Sequence, residues 1–336
     1  MRKFITVLLL LPAFIFLIHA INCFFSPIYS GDKKIRVERG TSLQDVAKKL
    51  QQKEIIQDAN KFIFVAYIKG KVRDIKAGYF STKNVNNYSQ LVDLLTGYNP
   101  YTVKVTVPEG FTTQNIARIM AKKFDFTQSE FLKKTKDASL IDSLDIKADI
   151  DKLEGYLFPD TYFFYPSSRP QDIIKKMVHT LFEKIDGELY QQIQSSSRDL
   201  HGFLTLASLV EGECVIDSER TIVASLYLNR LEERMHLNAD PTIQYIVPGK
   251  PRRLLNKHLE IDSPYNTYEN YGLPPGPVNN PGLKSIQAAV NPADTDYLYM
   301  VARGDGGHEF TVSYEKFLEE KEDFQHIRQQ VSRNKN

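Results

Sequence analysis

Apolar residues fall into three kinds of pattern along the chain. From Phe4 to Phe25 they run almost unbroken with no formally charged side chain, and a helix rising about 1.5 Å per residue over that run reaches across a hydrocarbon core of roughly 30 Å. The second pattern is a repeat. Val37-Glu38-Arg39-Gly40-Thr41-Ser42-Leu43-Gln44-Asp45-Val46-Ala47-Lys48-Lys49-Leu50 is matched, at an offset of 70, by Val107-Pro108-Glu109-Gly110-Phe111-Thr112-Thr113-Gln114-Asn115-Ile116-Ala117-Arg118-Ile119-Met120. Each copy predicts strand, glycine turn and helix: the glycine takes a turn that a side chain resists, Ser42 or Thr112 accepts from the orphan amides of the first turn, and Leu43, Val46, Ala47 and Leu50 form one stripe. The third pattern is Leu204-Thr205-Leu206-Ala207-Ser208-Leu209-Val210-Glu211-Gly212-Glu213-Cys214, an apolar helical run that ends on two carboxylates.

The remaining segments are read in the same way. Asn60–Lys69 and Ser89–Leu95 predict helices on either side of a strand over residues 76–81. Asp125–Ile150 carries amphipathic helical pieces. Residues 154–164 alternate as a turn leading into a strand, because Pro159 has no place in a central strand. Helices follow over 170–185 and 189–196, then the glutamate helix, then a helix capped by Ser218 with Val223, Leu226, Tyr227, Arg230 and Leu231 on successive turns. From Asn238 to Leu283 prolines, glycines, asparagines and tyrosines replace helical periodicity, and a loop of this length inside a domain is disordered or functional. A short helix over 286–290 and a hairpin, Tyr297–Ala302 with Glu309–Val312, complete the chain. The first repeat also resembles a LysM module, a small glycan-binding unit, in its Val-x-x-Gly-x-Ser-Leu-x-x-Val-Ala pattern. The expected class is therefore α+β: an N-terminal transmembrane helix with its flanks over 1–29, a LysM-like βα region over 30–145, and over 146–336 a mixed catalytic domain with a buried glutamate helix and a loop-rich groove.

Composition narrows the function. Lys and Arg number 43 against 41 Asp and Glu, a balance that speaks against nucleic acid as a partner. With no Trp, the 18 Tyr are the amphipathic aromatics available to a ring-shaped polar ligand. Cys23 and Cys214 lie in apolar runs and predict no disulfide. Arg2 and Lys3 precede the N-terminal run while Lys33, Lys34, Arg36 and Arg39 follow it, so charge alone does not orient it. A cleavage after Ala20 would put Ile18 where a small residue belongs, and Asn22 before Cys23 does not suit a lipoprotein signal, so an uncleaved single-pass anchor is expected.

Chemistry centres on the two glutamates. Residues two apart on a helix differ by roughly 200°, so Glu211 and Glu213 cannot face one cleft together. Glu213 follows Leu206 and Val210 on the buried side and is the desolvated carboxyl; desolvation raises its pKa and lets it donate a proton near neutral pH. Other sites fail on inspection. Gly304 to Gly307 join two strands with neither a helix nor a lysine after them, so they are a hairpin turn. The seven histidines show no ligand spacing, and no Gly-x-Ser-x-Gly elbow occurs, so no metal and no cofactor are expected.

Read in order, Glu154-Gly155-Tyr156-Leu157-Phe158-Pro159-Asp160-Thr161, Val210-Glu211-Gly212-Glu213, Ser218-Glu219-Arg220, Leu228-Asn229-Arg230-Leu231, Asp240-Pro241-Thr242, Tyr265-Asn266-Thr267-Tyr268, Gly272-Leu273-Pro274-Pro275-Gly276, Asn280-Pro281 and Gly306-Gly307-His308-Glu309-Phe310 resemble the YceG-like family of endolytic murein transglycosylases over nearly the whole chain. The resemblance implies a single-pass protein of the bacterial inner membrane whose catalytic domain lies outside the cytoplasm. It implies cleavage within nascent peptidoglycan strands to leave a 1,6-anhydro-N-acetylmuramic acid end, and cooperation with peptidoglycan synthases. The family's catalytic residue is the second glutamate of its Glu-x-Glu pair, which falls on Glu213 and agrees with the helical-face argument. Gly212 stands where relatives usually carry lysine, and Cys214 where they carry a small or hydroxyl residue. Gln244, Tyr245, Tyr265, Asn266 and His308 are candidate groove residues, and Glu211 a candidate for electrostatic support. A hydrolytic muramidase with Asp240 as second carboxylate, and a non-catalytic wall-binding scaffold, are the alternative readings.

Overall fold

The amphipathic runs become short helices around three two-stranded sheets in the computed structural model, which describes residues 2–29, 31–97, 101–247, 249 and 254–333, with side chains from Leu11 to Asp323. Contacts divide the chain into two units, Met1–Val103 with Phe163–Pro166, and Lys104–Tyr162 with Ser167–Asn336.

In the first unit α1 (Arg2–Phe25) leads to β1 (Lys34–Val37), α2 (Leu43–Gln52), α3 (Ala59–Ile68), β2 (Gly78–Ser81) and α4 (Tyr88–Thr96). β1 and β2 pair antiparallel, Lys34 opposite Ser81 and Val37 opposite Gly78. The stripe Leu43, Val46, Ala47 and Leu50 is buried as its spacing requires, in one core with Phe62, Val65, Phe80 and Leu91. The expected transmembrane helix, and with it the expected single-pass placement in the inner membrane, is corrected here: among the described residues no helix is long and apolar enough to cross a membrane. Phe4–Leu10 of the expected span lie outside the described side chains of α1. Its C-terminal end is part of the protein interior. Cys23 is 1% exposed, and the rings of Phe16 and His19 meet Phe64 edge-on at 6.0 and 5.3 Å.

The second unit is built on the other repeat. β3 (Val103–Thr106) pairs with β4 (Thr161–Phe164), and between them lie α5 (Thr113–Ala121), α6 (Gln128–Lys134) and α7 (Ala138–Asp142). There follow α8 (Pro170–Lys184), α9 (Gly187–Ser195), α10 (Leu200–Glu213), α11 (Arg220–Glu232), α12 (Asp240–Ile246), α13 (Asn256–Leu259), α14 (Leu283–Val290), the antiparallel hairpin β5 (Tyr299–Ala302) and β6 (His308–Thr311), and α15 (Tyr314–Arg333). The glutamate run is the central helix: every residue of α10 from Phe203 to Val210 is buried, and it packs on α9, α11, α12 and α14. Two expectations shift. A 3-10 turn over Asp217–Glu219 starts α11 in place of a Ser218 cap, and the region from Asn238 to Leu283 contains α12 and α13. A Pro at the start of α12 fits the first helical turn, where its missing N–H is not needed; that is why a loop-like composition still yields a helix.

Three loops are lashed to one another beside α10. The Ser208 hydroxyl accepts from the Val278 amide at 3.0 Å, and the Asn279 side chain donates to the Ser208 carbonyl at 2.8 Å. The buried Asn280 side chain accepts from Leu157 N–H at 2.9 Å and donates to the Phe111 carbonyl at 2.8 Å. Gly110 N–H in turn donates to the Asn280 carbonyl. Buried amides satisfied by specific partners fix these loops to one geometry, and that geometry makes the walls of a cavity.

Candidate active site

A cavity of about 870 Å³ opens at the C-terminal end of α10, lined by Glu211, Gly212 and Glu213 together with Glu109 and Gly110 of the second glycine turn, Thr113 and Arg118 of α5, Lys152 and Glu154, and Asp240, Gln244 and Tyr245 of α12. Glu213 keeps part of its surface open to this space while its carboxyl packs against protein atoms. Desolvation, helped by the charge of Asp240, pushes its pKa up to about 7, against the opposing pull of the Tyr227 hydroxyl. That hydroxyl, fully buried on α11, donates to Glu213 Oε1 at 3.0 Å. Asp240 is itself held by a 2.6 Å bond from the Tyr268 hydroxyl.

Gly212 explains how α10 and α12 come this close. A Cβ at that position would lie 2.5 Å from Pro241 Cγ and 2.6 Å from Pro241 Cβ, a distance no side chain tolerates. Gly212 therefore lets Pro241, and with it Asp240, approach the glutamate pair.

Glu211 turns to the other side of the helix, as two residues of rotation require. Its carboxylate is 7% exposed and takes Arg220 Nη1 at 3.2 Å, the Ser285 hydroxyl at 2.8 Å and Gly282 N–H at 3.1 Å, all on Oε2. Arg220 also donates to Asp217, which pairs with Lys284. A buried carboxylate that takes one cation and two further donors on a single oxygen is held in one place. Its work is to fix the end of α10 against α11 and α14.

Glu154 is a second buried acid on the cavity wall. Its Oε1 accepts from Thr113 N–H at 2.8 Å, the Thr113 hydroxyl at 3.0 Å and the Asn280 side chain at 3.1 Å, and burial still raises its pKa to about 7. Lys152 reaches Tyr245 Oη at 3.3 Å and lies over the Tyr265 ring at 4.6 Å.

Of the groove candidates, Gln244 and Tyr245 share the cavity with Glu213. Tyr265 packs on Tyr245 with centroids 5.1 Å apart, outside the cavity lining. Asn266 is fully buried and spends its side chain on its own loop, donating to the Leu259 and Ile261 carbonyls and accepting from Tyr268 N–H. His308 is bound by Glu219 at 2.9 Å and does not line the cavity. Sequence reasoning missed Glu154 and Lys152. The available signal for Glu154 was a carboxylate beside an apolar run, here Tyr156, Leu157 and Phe158. Among the described residues no group of three His, Cys, Asp or Glu is arranged to hold a metal ion.

Residues 35–323 match the YceG-like family. The chain belongs to the YceG-like family. It is 33% identical over 305 residues to the endolytic murein transglycosylase of Bacillus subtilis strain 168, a match covering 86% of this chain and 84% of that protein. It is 31% identical over 309 residues to the endolytic murein transglycosylase of Streptococcus pneumoniae serotype 2, covering 82% of this chain and 56% of that longer protein. The crystal structure of a YceG-like protein from Listeria monocytogenes superposes with a TM-score of 0.60 at 30% identity, covering 86% of this chain and 98% of that one.

Proposed function

We propose that this YceG-like chain is an endolytic murein transglycosylase that cuts the β-1,4 bond between N-acetylmuramic acid and N-acetylglucosamine inside a peptidoglycan strand and leaves a 1,6-anhydro end. The observation that carries this reading is Glu213: a carboxyl on a cavity wall, held protonated to about pH 7 by desolvation. A pKa near the working pH suits a group that must give a proton and then take one. Oε1 accepts from Tyr227, so the acidic proton sits on Oε2. Glu213 passes it to the glycosidic oxygen as the C1–O bond breaks, and the resulting carboxylate removes the proton of the muramic C6 hydroxyl while that oxygen closes on C1. Ordinary glycosidases need a second carboxylate to supply or activate the nucleophile; an internal hydroxyl already beside C1 replaces it by proximity. Gln244 and Tyr245 are positioned to hold the sugars, and Glu211 supports the helix end. Cutting inside growing strands terminates their elongation, which makes peptidoglycan synthases the partners of the reaction.

A hydrolytic muramidase is the second reading, favoured by Asp240, which lines the same cavity and raises the pKa of Glu213. Mass spectrometry of products from purified protein and glycan strands separates the two. Anhydro ends, one water lighter than reducing ends, are expected. Reducing ends alone would replace the transglycosylase by the muramidase, and no cleavage would favour a wall-binding scaffold. Unchanged cleavage by Glu213→Gln would remove Glu213 from the mechanism.

A further inference from the structure

The cavity lining carries both charges, and the chemistry above uses only the acids. Glu109, Glu154, Glu211, Glu213 and Asp240 line it together with Arg118 of α5, Lys136 of the turn after α6 and Lys152 of the loop before Glu154. Of the acids outside the mechanism, Glu211 has Arg220, Asp240 has Tyr268, and Glu154 has Thr113 and Asn280. The cations are different. Arg118 bonds to Asn115 on its own helix and Lys152 to the Tyr245 hydroxyl while its charge acts on Glu154, and among the described residues none of the three lies within ion-pair distance of a carboxylate. Arg118 stands with Gln114 and Asn115 on the side of α5 away from its buried stripe, Ile116, Ala117 and Met120, so its position is imposed by packing behind it. Leu132 and Lys136 then continue the wall into a shallow groove of about 450 Å³ along α6, lined largely by apolar surface and edged by Lys133.

Cations on a concave wall that no carboxylate neutralises at ion-pair distance favour an anionic ligand. A murein strand carries its anions in one place, the free carboxylates of the short peptide attached through the lactyl group of each N-acetylmuramic acid, interspersed with alanine methyls. We propose that the basic wall of Arg118, Lys136 and Lys152, with the groove along α6, is a subsite for this stem peptide, so that the enzyme selects peptide-bearing strands over naked glycan. The proposal rests on the transglycosylase reading and extends it from the sugar to its substituent.

The test compares initial rates of the full chain on isolated strands that keep their stem peptides and on the same strands after peptide removal. Wild-type protein is expected to show the lower KM on peptide-bearing strands, with the difference shrinking as salt is raised. Arg118 and Lys136 are exposed, so Arg118→Ala with Lys136→Ala tests the wall without touching the core. The double variant should raise KM on peptide-bearing strands about three- to tenfold with kcat much less affected, and so erase the preference. Arg118→Glu should reverse the preference. Equal KM on both strands for wild type, or a double variant that keeps the preference, would overturn the subsite and leave the transglycosylase reading standing. Cleavage of neither strand by wild type would overturn both.

Discussion

The two strand-turn-helix copies share a backbone and differ in what their side chains meet. Gly40 and Gly110 both take left-handed conformations, with φ of +79° and +71°. Ser42 and Thr112 both cap their helices by accepting from the amide three residues on. The buried stripe Leu43, Val46, Ala47 and Leu50 corresponds to Thr113, Ile116, Ala117 and Met120. Around the first turn nothing lies within 4 Å of where a Gly40 Cβ would stand, whereas Gly110 faces the Glu211 side chain at 3.5 Å. Leu43 is a core residue; Thr113, at the same place, gives two hydrogen bonds to Glu154. One packing device thus serves as scaffold in one unit and as cavity wall in the other, and a few polar replacements make the difference.

The largest effect belongs to the acid on the cavity that the second copy helps to wall. Glu213→Gln keeps the shape and removes the proton, and turnover on glycan strands should fall by about 10²–10⁴. The wild-type rate should decline as pH rises through about 7, where the raised carboxyl loses its proton. A rate that holds constant from pH 6 to pH 9 would mean that another group delivers the proton.

The next effect is on stability and isolates Glu154. Folding raises its pKa from 4.5 to about 7, so in the window between these values the folded state holds a proton that the unfolded chain has released. Its contribution is complete below pH 4.5 and is lost as pH rises through 7, by on the order of 3 kcal/mol. Glu213 titrates in the same direction. Glu154→Gln should therefore remove about half of the fall in unfolding free energy between pH 5 and pH 8, as read by denaturant titration. A slope identical to wild type would show that Glu154 is ionised in the fold.

How much of this was legible in the sequence follows from the range of the forces involved. The repeat, its caps and its stripes are local, and periodicity at Leu43 to Leu50 and Ile116 to Met120 found them. Glu213 was legible because a carboxylate following Leu206 and Val210 on one helix face is a local conflict. The partners of Asn266 and His308 were not legible: Asn266 is consumed by carbonyls of its own loop, and His308 by Glu219, which stands 89 positions away. The close approach at Gly212 was not legible either, because nothing near residue 212 announces Pro241. The N-terminal run was read for its hydropathy, and hydropathy does not record that Cys23 sits in a protein core.

Exchanging the residues that distinguish the copies sharpens the comparison further. Thr113→Leu gives the second turn the side chain of the first; the Thr113 amide still donates to Glu154, but the hydroxyl is gone. A lost bond to a buried acid costs about 1–3 kcal/mol, and the displaced Glu154 should lower activity as well. Leu43→Thr makes the reverse exchange in a position 5% exposed and should cost about 2 kcal/mol through lost apolar burial, with glycan cleavage unaltered once the protein is folded. Thermal melts and rate assays on the pair read both quantities.

The smallest effect is the most discriminating. Alanine at Gly40 or Gly110 must adopt the left-handed conformation, at about 1 kcal/mol in either turn, so the two variants should lose stability nearly equally. Their kinetics should part. At Gly40 the added methyl meets open space, whereas at Gly110 it stands in van der Waals contact with Glu211 Cγ at 3.5 Å, so relaxation of the strained turn is passed to the residue that anchors the end of α10 through Arg220, Ser285 and Gly282. Any shift of that anchor moves Glu213 with it, because the two are neighbours on one helical turn. Gly110→Ala should therefore lower kcat several-fold beyond what its unfolded fraction explains, while Gly40→Ala follows its stability alone. Equal losses of kcat in both variants would mean that the second turn is only a scaffold, like the first.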